Sequence, residues 1–290
     1  MTTTVVLLSD LHCNSKAGLC PPVVNLYSGG TYRTGREQRW IYSRFLAFRD
    51  EVGEARQRNG GRIVLFLNGE LADDNKHSKY DLVELHPDGQ MSLAIDALMP
   101  LLELLDRERG DLIYVLRGTE AHSGPNSWMD NAIGRDIGAV VAAETERRDG
   151  TRAQIHSFQS VMVTVDGVRI KGAHHPPLGP GRLPWTQNLF ATRVAAHVFL
   201  GAVKGGEPPP DVYFSGHYHV PGDSYDAWPT RALALPSWQL PTSFAYRLGA
   251  DRPLPVGGVI LTCDRGRYEV AKHFYEWPIR KYGALSTTPR

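Results

Sequence analysis

The sequence has little of several features that mark specialised classes of protein. It has 3 cysteines among 290 residues, too few for a disulfide scaffold and without the close pairs of a zinc finger, so we expect reduced thiols. With 32 Lys and Arg against 31 Asp and Glu, no net field attracts nucleic acid or an anionic membrane. No apolar run approaches the roughly 20 residues that span a bilayer. We therefore expect a cytoplasmic protein with no membrane partner.

Strand-like and helical patterns alternate along the first half of the chain. Continuous apolar runs of strand length at Val5–Ser9, Ile63–Leu67 and Leu112–Leu116 are separated by segments of helical periodicity. Strand-like segments dominate later in the chain, so we predict an α/β fold with two packed sheets flanked by helices. We expect one domain over residues 1–290, with a loop and helix insertion at about residues 14–58. A strand region is expected at about residues 230–275.

Two local predictions concern the middle of the chain. Residues 127–146 have a helical pattern, and the dipeptide Asp166-Gly167 between two β-branched runs is a strong hairpin signal. The second hairpin strand leads directly into His174 and His175. Adjacent residues of an extended chain point to opposite sides, so only one of these histidines should face a given ion, and we choose His174.

Polar side chains that can bind metal ions follow five of the expected strands. The five clusters are Asp10-Leu11-His12, Gly69-Glu70, Gly118-Thr119-Glu120-Ala121-His122, His174-His175 and Gly216-His217-Tyr218-His219. Loops at the carboxyl ends of strands converge on one crevice in an open α/β sheet. Residues two apart in a strand share a face, so Asp10 and His12 could bind the same ion, and His217 with His219 repeats that spacing.

The order of these clusters resembles the calcineurin-like metallophosphoesterase superfamily, and residues 118–122 are similar to the corresponding segment of phage and prophage members. The resemblance covers about residues 5 to 220. It implies a metallophosphoesterase-like double β-sheet sandwich in α/β/β/α layers and two divalent metal ions. The first ion would be bound by Asp10, His12, Glu70 and His219. The second would be bound by Glu70, His174, His217 and a residue of the 118–122 segment.

The sequence departs from the family pattern in two places. Glu70 stands where the family has an aspartate, and the family's Gly-Asn-His is replaced by residues 118–122. Direct alignment puts Thr119 and Glu120 in the Asn and His positions. We prefer the alternative, in which Glu120 is a metal ligand and His122 supplies the imidazole that faces the leaving group.

The number of carboxylates affects the expected metal. Asp10, Glu70 and Glu120 would together supply three negative charges, which favours hard ions. We therefore expect Mn²⁺ ahead of Mg²⁺, Fe or Zn²⁺. Asp73 and Asp74 follow closely and could compensate for the altered acid at position 70.

The resemblance implies a dinuclear metal-dependent phosphoesterase. Two ions can hold a bridging hydroxide and neutralise phosphate oxygens, and His122 would act as general acid toward the leaving group. The expected substrates are phosphomonoesters or phosphodiesters of a nucleotide or a nucleic-acid end. The alternatives are a catalytically impaired scaffold of the same fold and a protein phosphatase.

Overall fold

The computed structural model describes residues 2–74, 81–181, 189–242 and 254–278. Its strands are β1 (Thr2–Leu8), β2 (Val23–Asn25), β3 (Thr31–Arg33), β4 (Gly60–Asn68), β5 (Leu112–Leu116), β6 (Ala143–Glu146), β7 (Arg152–Ile155), β8 (Ser160–Val165), β9 (Val168–Ala173), β10 (Val212–Ser215), β11 (Gly222–Asp223), β12 (Arg231–Ala234), β13 (Val256–Asp264) and β14 (Arg267–Tyr275). Its helices are α1 (Arg36–Asn59), α2 (Pro87–Leu102), α3 (Glu120–Ser123), α4 (Trp128–Asp136) and α5 (Phe190–Lys204). In these ranges no helix combines the length and apolar character needed to cross a membrane.

Two five-stranded sheets form the centre of the fold. The first has the order β14-β13-β1-β4-β5, in which β1, β4 and β5 run parallel and β13 and β14 are antiparallel additions. The second has the order β11-β12-β10-β9-β8, with a parallel centre formed by β9, β10 and β12. The double-sheet architecture predicted from the sequence is confirmed.

Side-chain alternation along β1 shows how the layers are built. Val5 and Leu7 lie in the apolar core between the two sheets, whereas Val6 and Leu8 lie in the core that the first sheet shares with α1 and α2. On the outer face of the second sheet, α5 contributes Val194 to a third apolar cluster. The central strands β1 and β10 are covered on both faces and are buried along almost their whole length, and the layers run helix, sheet, sheet, helix.

The two local predictions differ in outcome. The hairpin is confirmed, since Asp166 and Gly167 join β8 to β9 with φ of 46° and 85°. The helix expected over residues 127–146 is wrong beyond α4. Gly138, at φ 70°, follows the end of α4, and Ala143–Glu146 pairs with Arg152–Ile155 as a separate hairpin. Glycine at the end of a helix readily adopts this left-handed conformation and so stops the helix.

The ends of five strands determine where the polar clusters lie. In the first sheet β1, β4 and β5 are parallel and end at Leu8, Asn68 and Leu116. In the second sheet β9 and β10 are parallel and end at Ala173 and Ser215. All five clusters follow these strand ends, which is where an open α/β sheet places its binding crevice.

Candidate metal centre

Most of the expected ligands have an unusual backbone conformation. Positive φ angles occur at Asp10 (54°), His12 (45°), Glu70 (52°), His217 (70°) and His219 (58°). This left-handed region costs a non-glycine residue on the order of 1–3 kcal/mol, and such residues cluster at functional sites. Backbone hydrogen bonds hold two of these turns, because Asp10 N–H donates to Gly69 at 3.2 Å and His12 N–H donates to the Glu70 carbonyl at 2.9 Å.

Two glycines allow the loops to approach one another closely. A Cβ at Gly216 would lie 1.9 Å from Ser9 Oγ and 2.3 Å from Asp10 Oδ2. A Cβ at Gly118 would lie 2.5 Å from both the backbone nitrogen and Cγ of Glu70. Because no side chain fits at these distances, glycine at both positions is required for the loops to meet.

The first group of candidate ligands comprises Asp10, His12, Glu70 and His219, which offer ligand atoms within 4.8 Å of one another. The Nε2 atom of His12 lies 3.3 Å from Glu70 Oε2 and 3.1 Å from His219 Nε2. His219 Nε2 also lies 3.4 Å from Asp10 Oδ1. Asp10, His12 and Glu70 are buried, whereas the side chain of His219 is 25% exposed. The group is therefore enclosed on all sides but one.

The second group comprises His174, His175 and His217, whose ligand atoms also lie within 4.8 Å of one another. His174 Nδ1 donates to the Asn68 carbonyl at 2.6 Å, so Nε2 carries the lone pair in the neutral ring. That Nε2 atom and Nδ1 of His217 are buried and have no hydrogen-bond partner. Buried polar atoms are normally paired, so these two nitrogens indicate a ligand.

His175 does not lie where strand alternation places it. Its ring centroid is 4.0 Å from that of His217 and 5.3 Å from that of His174. Because β9 ends at Ala173 and residues 174 and 175 form a bend, the alternation rule does not extend to this pair. The expectation that His175 faces away from the site is therefore incorrect.

Glu70 lies between the two groups. Its Oε2 atom faces His12 Nε2 at 3.3 Å, and its Oε1 atom faces His174 Nε2 at 3.4 Å. The backbone N–H of Thr119 donates to Oε1 at 3.3 Å, and the Thr119 hydroxyl donates to the same oxygen. One buried carboxylate thus presents an oxygen to each group.

The charges of the site keep Glu70 ionised, and a metal ion would have to displace a proton from His174. Burial raises the pKa of Glu70, but His12 and His174 outweigh it and hold the pKa well below its usual range. Burial lowers the pKa of His174, but Asp10 and Glu70 reverse this and raise it to about 9. Burial lowers the pKa of His217 to about 4, so that ring is neutral at pH 7. Ionised carboxylates together with ring nitrogens that lack a partner fit divalent ions, which displace protons from such ligands.

Asp73 contacts two of the expected site residues, although the sequence suggested it only as a substitute acid. Its Oδ1 atom accepts hydrogen bonds from His12 Nδ1 at 2.9 Å and from His122 Nδ1 at 2.6 Å. A carboxylate behind a ligand imidazole fixes the ring orientation and raises its basicity. Asp73 therefore orients one expected ligand and the expected general acid together.

Glu120 is not brought into either ligand group. It is exposed, and its Oε1 atom accepts a hydrogen bond from Asn126 N–H at 3.1 Å. It begins the short helix α3, where a negative side chain is favoured by the helix dipole. Thr119 instead contacts Glu70, as in the direct alignment, so the preferred assignment of Glu120 as a metal ligand has no geometric support.

Asp130 is a buried carboxylate that joins two loops of the centre. Its Oδ1 atom accepts the Leu71 N–H at 3.1 Å, and its Oδ2 atom accepts the Gly118 N–H at 2.8 Å. Leu71 follows Glu70, and Gly118 precedes Thr119. Asp130 therefore fixes the distance between the shared carboxylate and its hydrogen-bond donors, and no motif in the sequence singled it out.

Asp130→Asn is expected to weaken metal binding by about 10- to 100-fold, the usual cost of losing an outer partner of a metal site. The amide oxygen of asparagine can accept a hydrogen bond from one of the two backbone N–H groups. Its NH₂ group is a donor and cannot accept a hydrogen bond from the other. Asp111→Asn is the control, because buried Asp111 also accepts two backbone N–H groups, from Ile63 and Asp106, at the opposite end of β5, where it is in addition paired with Arg56 at 3.0 Å. Both variants should lower the free energy of unfolding by about 1–3 kcal/mol. Equal metal affinity in the two variants, measured by titration with Zn²⁺, would show that Asp130 has only a structural role.

Comparison with known proteins gives only distant structural similarity. No protein-family model matches the chain, and no curated protein sequence matches it. Vps29 from Chaetomium thermophilum is 13% identical, with 95% of this chain and 98% of that chain covered and a TM-score of 0.41. A 5′-nucleotidase from Candida albicans SC5314 is 10% identical, with 93% and 50% covered and a TM-score of 0.42. A dimetal phosphatase from Danio rerio is 10% identical, with 94% and 99% covered and a TM-score of 0.38. Similarity this low establishes no activity for this chain.

Proposed function

We propose that the chain is a metallophosphoesterase that hydrolyses phosphate esters with two divalent metal ions. The observation that supports this most strongly is the position of Glu70, whose two oxygens lie 3.3 Å from His12 Nε2 and 3.4 Å from His174 Nε2. Dinuclear hydrolases need two ions about 3.5–4 Å apart. A carboxylate with one oxygen directed to each ligand group suits a ligand shared by two ions.

The ions, when bound, supply Lewis acidity toward the phosphoryl oxygens and lower the pKa of the attacking water. The protein's own contribution to proton transfer is the Asp73–His122 pair, in which Nδ1 of His122 donates to Asp73 Oδ1 at 2.6 Å. This hydrogen bond holds the orientation of the ring, and a proton on Nε2 would pass to the oxygen of the departing alcohol. The His122 side chain is 32% exposed, so a substrate oxygen can reach it.

The composition of the ligand groups supports a choice of metal ion and argues against a catalytically impaired scaffold. Two of the four ligands in the first group, Asp10 and Glu70, are carboxylates, and oxygen ligands suit Mn²⁺ there. The substrate class we propose is a phosphomonoester or phosphodiester of a nucleotide or a nucleic-acid end. A scaffold would need neither the unpartnered nitrogens of His174 and His217 nor a carboxylate shared by two groups.

Hydrolysis of nitrophenyl phosphates tests this function. Chelator-treated protein should show no turnover of p-nitrophenyl phosphate or bis-p-nitrophenyl phosphate, and added Mn²⁺ should restore it. The ratio of the two rates distinguishes monoester from diester preference, and a 5′-nucleotide and a phosphopeptide distinguish the two substrate classes. A folded protein that hydrolyses none of these with Mn²⁺, Zn²⁺ or Fe²⁺ would refute the proposal in favour of a scaffold.

A further inference from the structure

The bend after β9 directs two adjacent histidines toward the same region. The strand ends at Ala173, and Pro176 and Pro177 follow the histidine pair. Proline has no N–H to donate and a fixed φ, so a strand ladder does not continue through it. As a result His175 packs against His217, with ring centroids 4.0 Å apart.

The nitrogens left unpaired in this region require a partner. Nε2 of His174 and Nδ1 of His217 are buried and make no hydrogen bond, and the His174 side chain is only 1% exposed. An unpaired buried polar group costs on the order of 1–3 kcal/mol. The ligand atom of His175 lies within 4.8 Å of those of the other two rings, and His175 itself is exposed. His175 is therefore placed to close the group on its solvent side.

We propose that His175 is a ligand of the second metal ion, in the position for which the sequence favoured Glu120. This inference rests on the proposed dinuclear function. Glu120 accepts the Asn126 N–H at 3.1 Å, and Thr119 donates to Glu70, so neither residue is directed to the second group. His175 supplies the third imidazole in their place.

This assignment makes the two metal sites chemically different. The first has two carboxylates and two imidazoles, whereas the second has three imidazoles and one oxygen of the shared Glu70. Imidazole ligands suit Zn²⁺ and Fe²⁺, and carboxylates suit Mn²⁺ and Mg²⁺. The second site is therefore expected to prefer Zn²⁺ or Fe²⁺ over Mn²⁺, and a preparation given mixed metals is expected to bind two different ions.

Titration with Zn²⁺ against a chromophoric chelator tests the role of His175. The wild-type chain should bind two ions, whereas His175→Ala should bind one with unchanged affinity and the other at least about tenfold more weakly, the minimum seen even for outer partners. His197→Ala is the matched control, because this exposed imidazole lies on α5. Free imidazole should restore the second ion to His175→Ala, since the position is open to solvent.

Two results would overturn the assignment. One is that His175→Ala binds both ions with wild-type affinity, and the other is that Glu120→Ala is the variant that loses the second ion. In either case a wild-type chain that binds two ions and hydrolyses esters would leave the proposed function intact. A wild-type chain that binds no ion removes both proposals, and circular dichroism shows whether each variant is folded.

Discussion

Glu70→Ala is expected to lower the occupancy of both metal ions and to reduce ester hydrolysis at least about 100-fold. Mutation of a residue that only hydrogen-bonds to a metal ligand lowers metal affinity or activity by up to about 100-fold. Glu70 is expected to bind the ions directly, because it presents one oxygen to each of the two ligand groups. Asp10 also lies near both groups, but through one oxygen only, since its Oδ1 atom is 3.4 Å from His219 Nε2 and 3.9 Å from His174 Nε2. Elemental analysis after dialysis measures the ions, and turnover of a nitrophenyl ester measures the activity.

Three further variants make the Glu70 result specific. Glu70→Asp should retain more metal than Glu70→Ala, because it keeps the carboxylate with one methylene fewer. Glu120→Ala serves as the matched control, since this exposed acid should be replaceable without loss of either ion. If Glu70→Ala keeps both ions while Asp73→Ala loses them, Asp73 is the shared ligand and the account of Glu70 is wrong.

His122→Ala is expected to keep both ions while slowing turnover by about 10²- to 10⁴-fold, the usual range of general acid catalysis. His122 contacts Asp73 and stacks edge-on against His12, with ring centroids 4.7 Å apart. His122 also forms a candidate ligand group with His12 and Asp73, so the metal content of the variant decides whether its loss removes a proton donor or a ligand. Metal content and kcat should be measured on the same preparation, so that loss of an ion is not mistaken for loss of the acid.

The leaving group provides an internal control for His122. A nitrophenolate departs as a stabilised anion and needs little protonation, whereas a ribose or alkyl oxygen needs a proton. The defect of His122→Ala should therefore be smaller on a nitrophenyl ester than on a nucleotide. Equal defects on both substrates would exclude the acid and indicate that His122 binds the phosphate group. Loss of metal would make His122 a ligand.

The periodicity of the sequence was sufficient to predict the sheets. The apolar runs Val5–Ser9, Ile63–Leu67 and Leu112–Leu116 were each long enough for a strand, and the observed strands end within one residue of them. The prediction failed after α4, where residues 143–146 pair with β7. That pairing depends on a partner strand that no helical pattern in the segment reveals.

Strand periodicity did not predict the conformations of the loops that carry the candidate ligands. Asp10 and His12 do belong to one ligand group, but the rule that residues i and i+2 of a strand share a face is not the reason. Both follow the end of β1, with φ of 54° and 45°. His217 and His219 have the same spacing and lie in different groups. Contacts between loops, rather than strand periodicity, hold these conformations, and a single sequence does not specify them.

The residues whose roles were misjudged share this cause. His175 was assigned by extending strand alternation past the last residue of β9, where a bend and two prolines change the direction of the chain. Glu120 was assigned by aligning residues 118–122 with the family's Gly-Asn-His, whereas its position at the first residue of α3 gives it a local backbone partner in Asn126. The two prolines after His175 are the signal in the sequence that could have corrected the first assignment.

The central claim is that Glu70 is shared by two metal ions, and anomalous X-ray scattering from crystals of the metal-loaded chain tests it most directly. Data collected on either side of the Mn and Zn absorption edges should show two peaks about 3.5–4 Å apart. One peak should lie among Asp10, His12, Glu70 and His219, and the other beside Glu70 among the three imidazoles of the second group. A single peak, or two peaks of which only one contacts Glu70, would contradict the account.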